Sequence, residues 1–256
     1  MLQAHSLLWN YLWLAPNVLF VFLAALLQRQ GVARRFPAFF IYLIIVSVEQ
    51  FSLYILDIAP SVSADTYWRA FWVGLLIEAL VKFALIGEVF SHVFGDYRSV
   101  AGLGKSLVRA VGVLLVFVAV LAAAHSQWNS GPRILSGAHV LEQTTYLIEC
   151  GLLLFILGLA AFFKLAWGRS EFGIALGFGI SACAHLATWA MLANISLSAR
   201  SRTLLDFANM AVSHVCVLLW CYFLLVPKKI ATTSAAPLVE HNLDIWNREL
   251  ERLLQQ

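Results

Sequence analysis

Apolar residues fall along this chain in long blocks separated by short polar stretches. A spanning helix needs about 20 predominantly apolar residues. Seven blocks approach or exceed that length, at 7–27, 37–57, 68–93, 107–124, 139–163, 172–193 and 204–226. The expected fold is therefore all-α, a polytopic bundle of seven transmembrane helices over 1–227, followed by a tail over 228–256. The connections are short, so no soluble domain is inserted. The first block lacks a basic leader and exceeds the ~7–15 residues of a signal-peptide core, so it is expected to remain as an uncleaved span.

Composition agrees: 61% of residues are hydrophobic and 12% charged, against ~45–50% and ~25% in soluble domains. The lipid bilayer is thus the first partner. A net charge of +3 with no polybasic block argues against nucleic acid. The four cysteines, Cys150, Cys183, Cys216 and Cys221, all lie inside apolar blocks, so no disulfide framework is implied.

Basic residues give the orientation. Arg29, Arg34, Arg35, Arg98, Lys105, Arg109, Lys164, Arg169, Lys228 and Lys229 fall on one side, and only Arg69, Arg133, Arg200 and Arg202 on the other. That bias puts the N-terminus outside and the C-terminus in the cytoplasm, as in a bacterial inner (plasma) membrane.

Ionisable residues inside the blocks carry the candidate chemistry, because a charge at the bilayer centre costs ~2.5–3.5 kcal/mol even on the lenient scale. These are Glu49, Glu78, Lys82, Glu88, Glu142, Glu149, His185, Asp206 and His214, with Asn209 beside them. His139, Glu142, Tyr146 and Glu149 share one helical stripe. Glu78 and Lys82 stand at i, i+4 in the favourable order. Counting ~1.5 Å per residue places Glu49, Glu78, Lys82 and Glu149 near mid-bilayer, with Glu142, His185, Asp206 and Asn209 toward the outer side. Glu88 and His92 mark the inner rim.

The expected site is an outward-opening pocket. In it Glu49, Glu78, Glu142, Glu149 and Asp206 outnumber Lys82, so either some carboxyls keep their protons or a cation is bound. Lys82 is read as counter-ion and Glu149 as the first ligand contact, with His185 and His214 in the pocket and Glu142, Asp206 and Asn209 at its mouth. A small cationic ligand, a protonated amine or a proton is the expected occupant. The bland alternatives are a structural Glu78–Lys82 pair, solvated Glu142 and Asp206, and hydrogen-bonded core histidines.

Comparison with known seven-helix families narrows the chemistry. Microbial rhodopsins hold retinal on a lysine of the last helix, and the span 204–226 has none, so retinal is not expected. Intramembrane zinc hydrolases of the alkaline ceramidase and adiponectin-receptor type carry HxxxH in the last span, whereas Met210 and Leu218 flank His214 here. A divalent metal on His185, His214 and Glu149 is chemically open but lacks that signature. The resulting order is a receptor-like or sensory protein first, then a proton-coupled transporter, then a metal-dependent hydrolase. An enzyme is the lesser expectation, and no catalytic residue is assigned.

Two further patterns bear on organisation. "VEQFSLYI" (48–55) and "LEQTTYLI" (141–148) echo one another three spans apart, as the inverted repeats of transporters do. In the tail, Leu243, Trp246, Leu250 and Leu253 line one face of an amphipathic helix over 238–255. Acidic residues dominate its other face, which suits a cytoplasmic protein partner, a second copy or the bundle's own end better than an anionic membrane surface.

Overall fold

The computed structural model describes residues 6–95, 131–165, 167–194 and 199–226, with single positions at 106, 110, 113, 248, 251 and 252. For 131–141, 193–194 and 199–200 it describes the backbone alone. Among the described residues every regular element is helical: α1 (Leu7–Arg29), α2 (Val32–Arg35), α3 (Pro37–Ile58), α4 (Ala64–Val93), α5 (Gly131–Phe162), α6 (Arg169–Asn194) and α7 (Ala199–Leu225). All but α2 are long and apolar enough to cross a membrane, which fits a multi-pass membrane protein. The expected span 107–124 and the tail helix with Leu243, Trp246, Leu250 and Leu253 lie outside the described residues.

Local chemistry sets the helix ends. The Ser6 hydroxyl accepts the Trp9 N–H at 3.2 Å and caps α1, and Ser63 does the same for Thr66 at 3.2 Å on α4. The Ser63 cap starts α4 at Ala64, four residues before the apolar block that marks it in the sequence. Similarly α5 begins at Gly131 and α7 at Ala199, ahead of the expected 139 and 204. Between α1 and α3, Gly31 adopts φ +73° and lets the chain turn into the short helix α2, in what reads as a plain basic loop. Pro37 occupies the first turn of α3, where its missing N–H costs nothing.

The six long helices close a ring in chain order, α1 against α3, α3 against α4, α4 against α5, α5 against α6, α6 against α7, and α7 back against α1. Cross-helix pairs give the directions. Trp13 meets Gln50 and Asn17 meets Ser47, so α1 and α3 are antiparallel. Glu88 of α4 reaches Ala38 while Glu49 of α3 packs on Gly74, so α3 and α4 are antiparallel. Tyr146 with His185 and Cys150 with Cys183 make α5 and α6 antiparallel. Thr188 with Asn209 and Gly173 with Phe223 make α6 and α7 antiparallel. Trp9 with Phe207 and Phe20 with Trp220 make α1 and α7 parallel. It follows that α4 and α5, neighbours in the ring, run the same way.

One end of the bundle thus gathers the starts of α1, α4, α5 and α7, and is called the first end. The second end gathers Arg29, the α2 turn, Val93, Phe162, Arg169 and Leu225. The core near the second end is aromatic: Phe39, Tyr42, Phe178 and Trp220 pack edge-on and tilted with centroids 4.8–6.4 Å apart. Two glycines of α6 make this possible, because a Cβ at Gly173 would strike Phe223 and one at Gly177 would strike Trp220.

The second end is held by polar contacts between helices. The Glu88 carboxylate accepts the backbone N–H groups of Ala38 at 3.0 Å and Phe39 at 3.2 Å, which caps α3 from α4. His92, one turn on, stacks on Phe36 at 4.7 Å. Arg35 pairs with buried Glu171 of α6 at 2.6 Å. The inner-rim pair of the sequence is therefore a helix cap and a ring contact.

Candidate functional site

Inside the ring, on the first-end side of the aromatic cluster, lies a cavity of about 210 Å³. At ~30 Å³ per liquid water, that is room for roughly seven waters or one small organic cation. Its walls come from α1 (Trp13, Pro16, Asn17), α3 (Tyr42, Gln50), α4 (Glu78, Lys82), α5 (Tyr146), α6 (Ser181, His185) and α7 (Asn209, Ser213, Cys216, Trp220). Pro16 sits inside α1 and, lacking an N–H, cannot donate to the Leu12 carbonyl; both residues line the cavity. The Trp13 indole donates to Gln50 at 3.1 Å, and the Asn17 amide to the Trp13 carbonyl at 2.7 Å.

An ion cluster forms one wall. Lys82 Nζ lies 3.0 Å from Glu78 Oε1 and 3.4 Å from Glu149 Oε2. The contact to Glu149 is an ion pair without hydrogen-bond alignment, and both Glu149 oxygens are buried with no hydrogen-bond partner. Lys82 Nζ also stands 4.5 Å over the Tyr146 ring, a cation–π contact. Tyr146 in turn stacks on His185 at 4.3 Å. The Ser181 carbonyl, which can only accept, takes the His185 Nδ1–H at 2.9 Å, so neutral His185 keeps Nε2 as a free lone pair. Thr188 bonds Asn209 at 3.1 Å toward the first end.

Several expected site residues are therefore brought together, namely Glu78, Lys82, Glu149, His185 and Asn209. The half-buried Glu142 shares their face of α5, one turn nearer the first end. Others are not. Glu149 is fully buried and does not line the cavity, whereas Glu78 does. Glu49 points away from the cavity. It packs on Gly74 at the floor of an apolar groove between α3 and α4, with Oε2 buried and unpartnered. Asp206 is exposed and does not line the cavity.

His214 is turned to the α1 seam, stacked on Tyr11 at 5.7 Å, with Nδ1–H donated to the Met210 carbonyl at 3.1 Å. His185, His214 and Glu149 thus do not converge, and among the described residues no three His, Cys, Asp or Glu groups are placed to hold a metal. Within the cluster two carboxyl groups, Glu78 and Glu149, meet one lysine.

Sequence reasoning passed over Asn17, Gln50, Trp13 and Ser213, all of them cavity walls. A signal existed for the first two, since an amide inside an apolar block is a buried polar group that needs a partner. The echo between 48–55 and 141–148 does not extend to the burial of the matched side chains. Gln50 lines the cavity while Gln143 is exposed, and Ser52 is exposed while Thr145 is buried. No family model matches the chain, and neither a curated protein nor a solved structure matches it.

Proposed function

We propose that this is a seven-span, receptor-like membrane protein whose cavity binds a small organic cation or protonated amine at Glu78. The observation that carries the reading is that Glu78 and Glu149 share one lysine, Lys82, and that Glu78 is the one of the two that lines the aromatic-walled cavity. An alkylammonium would neutralise Glu78 and find the Trp13, Tyr146 and Trp220 rings as further partners.

Seven spans are supported by direction. Parallel neighbours α4 and α5 start at the same end, so the chain between Phe94 and Gly131 has to return across the height of the bundle, and 107–124 is apolar enough to do so. Among the described residues the second end carries Arg29, Arg34, Arg35, Lys164 and Arg169 against Arg69, Arg133, Arg200 and Arg202 at the first. The reading of a cytoplasmic second end and an outward cavity therefore rests on adding Arg98, Lys105, Arg109, Lys228 and Lys229 from the sequence. Output through a cytoplasmic partner rests on the amphipathic tail.

The test is thermal unfolding of the purified protein with methylammonium and tetramethylammonium chlorides, against sodium chloride at equal ionic strength. A saturable rise in unfolding temperature in the wild type, lost in Glu78→Gln and kept in Asp206→Asn, is the expected result. Equal responses in wild type and Glu78→Gln would refute amine binding at this carboxylate.

A second reading, a proton-coupled transporter, is supported by the cluster of Phe39, Tyr42, Phe178 and Trp220, which packs on the second-end side of the cavity. It requires amine-dependent proton flux in proteoliposomes, which a receptor does not produce.

A further inference from the structure

Two of the four cysteines meet. Cys150 follows Glu149 on α5, Cys183 precedes His185 by two residues on α6, and their Sγ atoms lie 3.8 Å apart as free thiols. They belong neither to the cavity wall nor to the packed core, since Cys183 is exposed and Cys150 half-buried. Leu147 and Leu154 flank Cys150 on the α5 surface at 63% and 68% exposure, which places the sulfurs on the outer seam of the bundle at the level of the ion cluster. Cys216 is buried and donates to the Gly177 carbonyl at 3.2 Å.

A disulfide has an S–S length of about 2.05 Å, so these sulfurs need to approach by roughly 1.8 Å. Rotation about the two Cα–Cβ bonds is the motion available for that approach, since α5 and α6 pack against each other and the sulfurs already lie 3.8 Å apart. The surroundings are apolar. Charged aqueous oxidants such as glutathione disulfide are excluded from such a surface, whereas a neutral oxidant dissolved in the bilayer reaches it.

We propose that Cys150 and Cys183 are an oxidisable pair that closes into a disulfide across the α5–α6 seam, with a membrane-soluble quinone as oxidant. Each thiol gives up its hydrogen, the two sulfurs bond, and the two electrons and two protons pass to the quinone oxygens, leaving a hydroquinone. A dithiol reductant reverses the step. The bond sits one residue from Glu149 and two from His185, so it staples the wall that carries Tyr146 and His185. The proposal stands on the sulfur geometry and is independent of what the cavity binds.

The test uses full-length protein in lipid nanodiscs, reduced, freed of reductant under argon, and exposed to duroquinone, whose four ring methyls block direct thiol addition. After denaturation the free thiols are mass-tagged with a maleimide. Wild type should fall from four tagged thiols to two with one hydroquinone formed per chain, and peptide mapping should recover a Cys150–Cys183 link. Cys150→Ser and Cys183→Ser should each keep all three remaining thiols, while the Cys216→Ser/Cys221→Ser double variant should still lose two. Four tagged thiols in treated wild type, thiol loss in Cys150→Ser, or a reducible dimer in place of the internal link would each overturn the proposal.

Discussion

Lys82 of α4 and Glu149 of α5 face each other across the seam between two parallel helices, with Nζ 3.4 Å from Oε2 and both side chains almost wholly buried. On α5 alone Glu149 has no such partner, whereas Lys82 is also paired with Glu78 of its own helix at 3.0 Å. Removing one partner of a buried pair leaves an uncompensated charge and costs about 3–5 kcal/mol, whereas replacing both with apolar groups of similar size is often neutral. Lys82→Met should therefore lower unfolding stability by that order. The Lys82→Met/Glu149→Leu double variant should recover a large part of it, as measured by denaturant unfolding in detergent. A strictly additive double variant would mean the two residues are not coupled.

The Glu88 cap makes a separate prediction at the second end. Glu88→Ala removes two charge-assisted acceptors from the first turn of α3, so a loss of about 1–2 kcal/mol is expected. Glu88→Gln keeps one acceptor oxygen and should lose less. Hydrogen exchange at the Ala38 and Phe39 amides would quicken in Glu88→Ala if the cap is the cause, and an unchanged rate would dismiss it.

Packing between α6 and α7 depends on the absence of side chains. Gly177→Ala drives a methyl group into the Trp220 ring, for which overpacking predicts a loss of about 1–3 kcal/mol. Gly151→Ala on α5 meets nothing within 4 Å and should be neutral or stabilising by up to about 1 kcal/mol through helix propensity. The contrast can be read from the two unfolding temperatures, and equal effects would contradict the described α6–α7 contact.

At the end of α5, Lys164 adopts φ +53°. Leu165 N–H bonds the Ala160 carbonyl at 2.9 Å and Lys164 N–H the Ala161 carbonyl at 3.1 Å, the hydrogen-bond pattern of a left-handed helix stop. A lysine in that conformation is strained where glycine is not. Lys164→Gly should raise stability by about 0.5–1 kcal/mol, and a destabilised variant would show that the lysine side chain matters more than its backbone.

The class of the molecule was legible from the apolar blocks alone. Backbone polar groups in a bilayer have to bond within their own segment, so blocks of that length can only be helices. Six of the seven blocks are helices long and apolar enough to cross a membrane. Intramembrane ionisable residues were equally legible as a set, and the Glu78–Lys82 pair followed from spacing alone.

What the blocks could not convey was which way each helix faces. In a soluble protein the apolar stripe marks the inner face, but lipid is as apolar as the bundle interior, so these spans are hydrophobic all round and their rotation is unmarked. Glu49 and Gln50 are adjacent in the chain and about 100° apart on the helix. Only packing against Gly74 on one side and Trp13 on the other decides that the amide lines the cavity and the carboxylate does not. Glu78 as the cavity-lining acid, Glu149 as the hidden one and the meeting of Cys150 with Cys183 follow from the same helix rotations, which close contacts between neighbouring helices select and no single helix encodes.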